Sequence, residues 1–360
     1  MSILEGSVGL TRHRHLGILE GSVGRWSLYV ARRLAGAVAG MFGVVLVVFV
    51  VTHVLGDPTR LVLGPRASPQ QVAQMSHQLG YDRPIVSQFL TYLGQLLRGN
   101  LGVSQYTQQP VLHDILHFFP ATLELSLAGL LLGLLWTLPL GILSAVRPGG
   151  IVDRVSQVIV DFGVAMPSFW LGILLILLFF HVLGIAPAPV GELDIGAVAP
   201  ARVTGMTVVD CLIAGDFSLF LSALAHLALP AITLAITACP PILQLTRNTM
   251  ISALRSDYVR NARSMGLPER TTRWYALKNA MIPISTMTAM TFGYLLGGTV
   301  LVEEVFSWPG IGLYAVQSIE RFDYAPVLGV VLLASAVYVV VYLLADLFAM
   351  ALDPRVREGV

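Results

Sequence analysis

Long apolar stretches alternate with shorter polar ones along this chain, and the alternation predicts its architecture. Six stretches are long and apolar enough to cross about 30 Å of hydrocarbon. They are residues 34–55, 125–146, 156–183, 223–245, 284–302 and 325–352. The first carries no acid, lysine or arginine. The third has Asp161 near its start and Pro167 inside it. The fourth contains Pro230, Pro240 and Pro241, and the sixth has Asp346 near its end. The predicted fold class is all-α: a polytopic membrane protein with six transmembrane helices.

Composition agrees. The chain is 55% hydrophobic and 12% charged, against about 25% charged for a soluble domain, which leaves too little polar surface for a water-facing globule. The basic residues set the orientation. With the N-terminus inside, 16 of the 22 Lys+Arg lie in inner segments. The outer segments then hold Arg60, Arg66, Arg83, Arg98, Arg202 and Arg321. The expected topology is therefore N-in, C-in. The net charge of +1 carries no signal for nucleic acid, and none is an expected partner. No CxxC or His/Cys cluster points to a metal, and Cys211 and Cys239 are not expected to pair.

The segments outside the spans are unequal. ILEGSVG occurs at 3–9 and again at 18–24, too short a duplication for a repeat architecture. It also lacks the features of a signal peptide. Residues 1–25 are expected to be a non-essential extension. Residues 56–124 form a long outer segment. GDP at 56–58 stops the first span, and residues 68–80 read as a helix with Ser68 as N-cap and Pro69 at N1. Residues 84–99 read as a second, amphipathic piece. Two readings stay open for this segment, a packed cap over the span ends and a docking surface for an external partner.

Residues 247–283 are a polar island between two spans. The island carries seven of the basic residues and two acids, Asp257 and Glu269. Residues 252–265 are expected to form one helix. Gly266 permits a left-handed cap and Pro268 prevents continuation. Residues 269–281 are expected to form a second helix, closed by Pro283. Such a helix–Gly–helix knuckle would present Arg260, Arg263, Arg270 and Arg273 at its rim. The plainer reading is a solvated amphipathic hairpin.

The order of residues favours the knuckle. The island resembles the EAA loop of the membrane subunits of bacterial ABC importers. Ala262, Gly266 and Pro283 match the general pattern, and DYVRNARSMGL…LKNAMIP is similar to the peptide-importer branch. Similar features follow in order: GDP at 56–58, FPATLELSLAG at 119–129, MPSFWLGILLIL at 166–177, HLALPAITLAI at 226–236, VEEVFSWPGIG at 302–312 and LDPRVR at 352–357. Across residues 26–357 the chain resembles the first permease subunit of a dipeptide/oligopeptide (nickel, glutathione) ABC importer. Asn261 and Met265 depart from the loop pattern.

This resemblance implies a set of partners: a second homologous permease, two ABC ATPase subunits, an extracytoplasmic substrate-binding protein and the lipid bilayer of the bacterial inner membrane. It implies that Asp257, Tyr258, Arg260, Ala262, Arg263, Gly266, Leu267 and Pro283 form the ATPase-coupling site. No cofactor is expected on this chain, since ATP and Mg would belong to the ATPase subunits. Lys278, the one lysine, follows Leu277, so there is no Gly-Lys for a phosphate-binding loop, and the chain is not expected to be an enzyme. Glu303, Glu304 and Trp308, in an expected outer re-entrant turn, are candidates for the pathway or gate, together with Asp161 and Asp346. The alternative reading is an ion-gradient-driven secondary transporter, against which stands the absence of repeated spans and of midplane carboxylates. An intramembrane enzyme finds no HExxH or GxSxG motif.

Overall fold

The structure, a computed structural model, describes residues 30–51, 63, 67–79 and 83–352. Among these every regular element is helical, with one isolated antiparallel bridge between Val103 and Pro110. The N-terminal duplication, GDP at 56–58 and the LDPRVR end lie wholly or mostly outside the described residues. Helix α1 is Val30–Phe49, α2 is Pro69–Leu79 and α3 is Ile85–Leu97. Helix α4 is Val111–Val146, α5 is Ile151–Ala165, and α6 is Ser168–Leu175, continued as a π-helix over Ile176–Val182. Then come α7 (Thr207–Ala214), α8 (Phe217–Ala238), α9 (Pro240–Leu254) and α10 (Asp257–Ser264). The last four are α11 (Glu269–Gly298), α12 (Val300–Phe306), α13 (Ile311–Glu320) and α14 (Tyr324–Leu352).

Five helices, α1, α4, α8, α11 and α14, are long and apolar enough to span a membrane. A sixth crossing exists if α5 and Ser168–Val182 count as one span bent by 105°. The bend falls at Met166–Pro167, where Met166 is extended, as expected for a residue preceding proline. Residues 156–183 are therefore two rods at a steep angle rather than one straight span.

The bundle is organised around α4, which packs on α8 and α9. At about 1.5 Å per residue its 36 residues run some 54 Å, well beyond the hydrocarbon. Gly133 sets the closest approach. A Cβ placed there would come within 2.7 Å of Cys239 Cβ, and nearer still to its Sγ, so only glycine lets the backbones meet. Span four also departs from expectation. Instead of running through 223–245, α8 ends at Ala238, and after Cys239 α9 restarts with Pro240 in its first turn, where a missing N–H is harmless.

The described part of residues 56–124 packs on the bundle. Ser68 and Gln71 bond reciprocally, Ser68 N to Gln71 Oε1 at 2.9 Å and Gln71 N to Ser68 Oγ at 3.3 Å, a capping box that starts α2. Helix α3 lays Phe89 against Phe42 and Phe49 of α1. Farther on, Ser104 Oγ donates to Asp323 Oδ2 at 2.6 Å, and the Arg321 guanidinium lies 3.4 Å from the Tyr106 ring centroid. Asp114 accepts from Thr107 Oγ1 and Tyr314 Oη. These bonds tie residues 104–107 to the ends of α4, α13 and α14.

Candidate functional site

The polar island folds as a knuckle, with two differences from the sequence expectation. Residues 252–265 are not one helix. Helix α9 ends at Leu254, and Ser256 is extended at ψ 156° with its Oγ donating to Ala253 O at 2.5 Å. A serine that bonds backward to the main chain competes with helix continuation, and Asp257 then opens α10. Nor does Pro283 close the second helix. Helix α11 runs unbroken past it to Gly298. A mid-helix proline forfeits one N–H bond, and in a span packed against α9 and α14 the neighbours hold the helix together.

Gly266 behaves as its position suggests. It has φ 76°. Its N–H donates to Arg263 O at 2.9 Å, and Leu267 N–H donates to Ala262 O at 3.2 Å. Together these bonds form a Schellman closure of α10. Pro268 then precedes α11, so the chain reverses within a few residues.

Two faces of α10 do different jobs. Val259 and Ala262 are buried, 0% and 4% exposed, and Val259 joins the main core with Met250 of α9 and Ala276 and Ala280 of α11. Asp257, Tyr258, Arg260, Arg263, Met265, Gly266 and Leu267 are exposed. Met265 is the most open apolar group of the tip at 73%. Of the residues expected to meet an ATPase, Ala262 alone on this short helix is turned inward, so it seats the helix. Pro283 lies down in the α11 span.

Charge contributes less than burial. Glu269 bridges the knuckle, with Arg263 Nε at 3.0 Å and Arg273 Nε at 3.7 Å, and Arg260 stands 3.5 Å from Asp257. Exposed pairs of this kind contribute about 0–1 kcal/mol each. Burying Val259 contributes about 1.5–3 kcal/mol, so the apolar underside holds the knuckle to the bundle. The firmest polar tie lies about two turns back from the end of α9 and was not read from the sequence. Arg247 Nε and Nη2 of α9 donate to the two oxygens of Asp153 at 2.5 and 2.9 Å, and Gly149 N–H donates to Asp153 at 2.7 Å. That part-buried pair clamps the start of α5 to α9, across 94 residues of sequence.

At the other end, Glu303 is fully buried and satisfied. It accepts from Thr122 Oγ1 at 2.8 Å, Thr299 Oγ1 at 2.7 Å, Gly312 N at 2.7 Å and Leu313 N at 3.1 Å. Trp308 is also buried and donates from Nε1 to Ala121 O at 2.9 Å. Both side chains brace the turn between α12 and α13 against α4. Glu304 is exposed, as is Asp161 on α5, and neither has a bonded partner among the described residues. Asp346 lies in α14, and its side chain is outside the described residues. Beside this turn is a cavity of about 290 Å³ lined by His117, Glu192, Arg202 and Asp210. Burial pushes the Asp210 carboxyl up, but bonds from Thr204, Gly205 and Val203 hold it below the ordinary range.

This is an all-helical, multi-pass membrane protein with a capped knuckle on one end of its bundle. Residues 137–358 match the binding-protein-dependent transport system inner membrane component, and residues 27–126 match the N-terminal part of such membrane components. The chain belongs to that family. It is a permease component of a binding-protein-dependent ABC importer in the bacterial inner membrane, which sets aside the secondary transporter. It is 42% identical to a probable D,D-dipeptide transport system permease protein of Escherichia coli (strain K12), over 93% of this chain and 98% of that one. It is 40% identical to a di/tripeptide transport system permease protein of Pseudomonas aeruginosa (strain UCBPP-PA14), over 92% and 98%. It is 34% identical to a glutathione transport system permease protein of Escherichia coli O6:H1, over 91% and 98%.

Proposed function

We propose that this chain forms half of the translocation pathway for di- or oligopeptides, or a related small solute such as glutathione, and that α10 couples it to an ATPase. The observation that carries the coupling reading is the two-faced knuckle. Its underside is fused to the helices that enter spans four and five, and its apolar tip, with an arginine rim, is left uncovered. Interface centres favour this mix of exposed apolar groups and arginine. Tyr258, Arg260, Arg263, Met265 and Leu267 would touch the ATPase groove, Asp257 would orient Arg260, and Gly266 would keep the turn. Ala262 and Pro283 would act through packing.

In this reading the partners are a second homologous permease, two ATPase subunits carrying ATP and Mg, and an extracytoplasmic binding protein. The basic residues support N-in, C-in, with residues 247–283 cytoplasmic and 56–124 extracytoplasmic. The chain itself hydrolyses nothing. In this reading Glu304 and Asp161 are the leading pathway candidates; their exposure without a bonded side-chain partner among the described residues supports this, because such a carboxylate on a membrane bundle faces water or another subunit. Glu303 and Trp308 would set the position of Glu304, and Asp346 stays a candidate from its place in the sequence.

The test is purification of the tagged chain from solubilised membranes with mass spectrometry of its companions. A second permease and ATPase subunits should co-purify, and deleting 257–267 should release the ATPases. Recovery of the chain alone, moving solute without ATP, would overturn the proposal.

A further inference from the structure

A second feature lies beside the knuckle and does not depend on the coupling reading. An open cavity of about 480 Å³ is lined by Ile142 near the end of α4 and by Arg270, Thr271, Arg273, Trp274 and Leu277 of α11. Arg270, Arg273, Trp274 and Leu277 stand at helical spacing on one face. Descending that face, the chemistry changes from guanidinium to indole to aliphatic. The axial rise from Arg270 to Leu277 is roughly 10 Å, comparable to the depth from the headgroup region into the acyl chains. Ile142 and Leu277 belong to two spanning helices and pack, partly buried, against the main core, so the floor of the cavity is apolar.

The charge at this mouth is unbalanced. Glu269 is shared between Arg263 and Arg273, and among the described residues Arg270 has no partner. Trp274 is 61% exposed, and an exposed indole near the end of a spanning helix suits the membrane interface. An aqueous anion would satisfy the arginines and leave Ile142, Leu277 and the Trp274 ring in contact with water.

We infer that the cavity is a binding site for an anionic phospholipid, whose phosphate meets Arg270 and Arg273 while its acyl chain lies along Trp274, Leu277 and Ile142. A lipid seated here would join the ends of α4 and α11 at the base of the knuckle.

The test uses the tagged chain with its co-purifying subunits, placed in nanodiscs of phosphatidylglycerol or of phosphatidylcholine, washed with detergent and assayed for retained lipid by mass spectrometry. Phosphatidylglycerol should be retained in preference. Replacing Arg270→Gln and Arg273→Gln should lower that retention about fivefold per arginine, the equivalent of about 1 kcal/mol each. Arg270→Lys with Arg273→Lys should keep most of it, and Arg98→Gln at the other end of the bundle should change nothing. Equal retention of the two lipids would overturn the inference. So would inorganic phosphate displacing phosphatidylglycerol as effectively as added lipid, which would mean a free-anion site. A photoreactive residue at position 274 that cross-links to a protein subunit instead of lipid would assign the cavity to a protein contact.

Discussion

Replacing Gly266 separates the shape of the knuckle from its contacts. A Cβ there meets nothing within 4 Å, so Gly266→Ala adds no clash. It adds backbone strain, since φ 76° costs an ordinary L-residue about 1–2 kcal/mol. That is roughly 5- to 30-fold in the ratio of closed to opened knuckle. Asparagine tolerates the left-handed region better than alanine, so Gly266→Asn should fall between. Gly266→Pro goes further. It forces φ near −65° and deletes the N–H that donates to Arg263 O at 2.9 Å, so the Schellman closure cannot form. Transport driven by ATP should fall in the order Gly, Asn, Ala, Pro, while the complex remains in the membrane. The assay is solute uptake into proteoliposomes holding the purified complex, with ATP hydrolysis followed in parallel. Normal uptake by Gly266→Pro would refute the reasoning. Losses of equal size for Ala, Asn and Pro would show that position 266 needs contact space, not backbone freedom.

Three further outcomes follow from the geometry. Asp153→Ala strands Arg247 and should destabilise the chain by about 3 kcal/mol, the low end for breaking a buried pair, because Arg247 keeps some exposure; adding Arg247→Ala should restore part of the loss in detergent melting curves. Gly133→Ala should cost about 1–3 kcal/mol through overpacking, and Cys239→Ala should relieve it only in part, since the 2.7 Å approach to Cys239 Cβ persists. Asp210, whose folded carboxyl titrates below its unfolded value, contributes stability that is full above about pH 4 and is lost as pH falls through the folded value; Asp210→Asn should abolish that acid sensitivity in hydrogen exchange of residues 203–205.

Much of the candidate site could be read from local sequence, because caps are local chemistry. Ser68 followed by Gln71, and Gly266 followed by Pro268, specify helix ends through bonds to near neighbours. The Ser256–Asp257 pair carried the same kind of signal and marks the break between α9 and α10 that periodicity alone runs through. Pro283 misleads for the opposite reason. A proline reads as a stop when only the local backbone is weighed, yet α11 continues because its packing partners outweigh one missing bond.

The sequence by itself determined that this chain is a helical membrane protein, where its apolar stretches lie, where its knuckle turns and which family it joins. Each of these depends on hydrophobic period, capping residues or motif order, which act over a few residues. Only the tertiary structure decided that Asp153 clamps Arg247, that Glu303 and Trp308 brace α4 while Glu304 stays open, that span three bends by 105°, and that Ala262 points inward. Those outcomes depend on which distant helices meet and how closely. In a bundle of uniformly apolar spans, small residues such as Gly133 and a few buried polar bonds set that meeting, not the hydrophobic pattern.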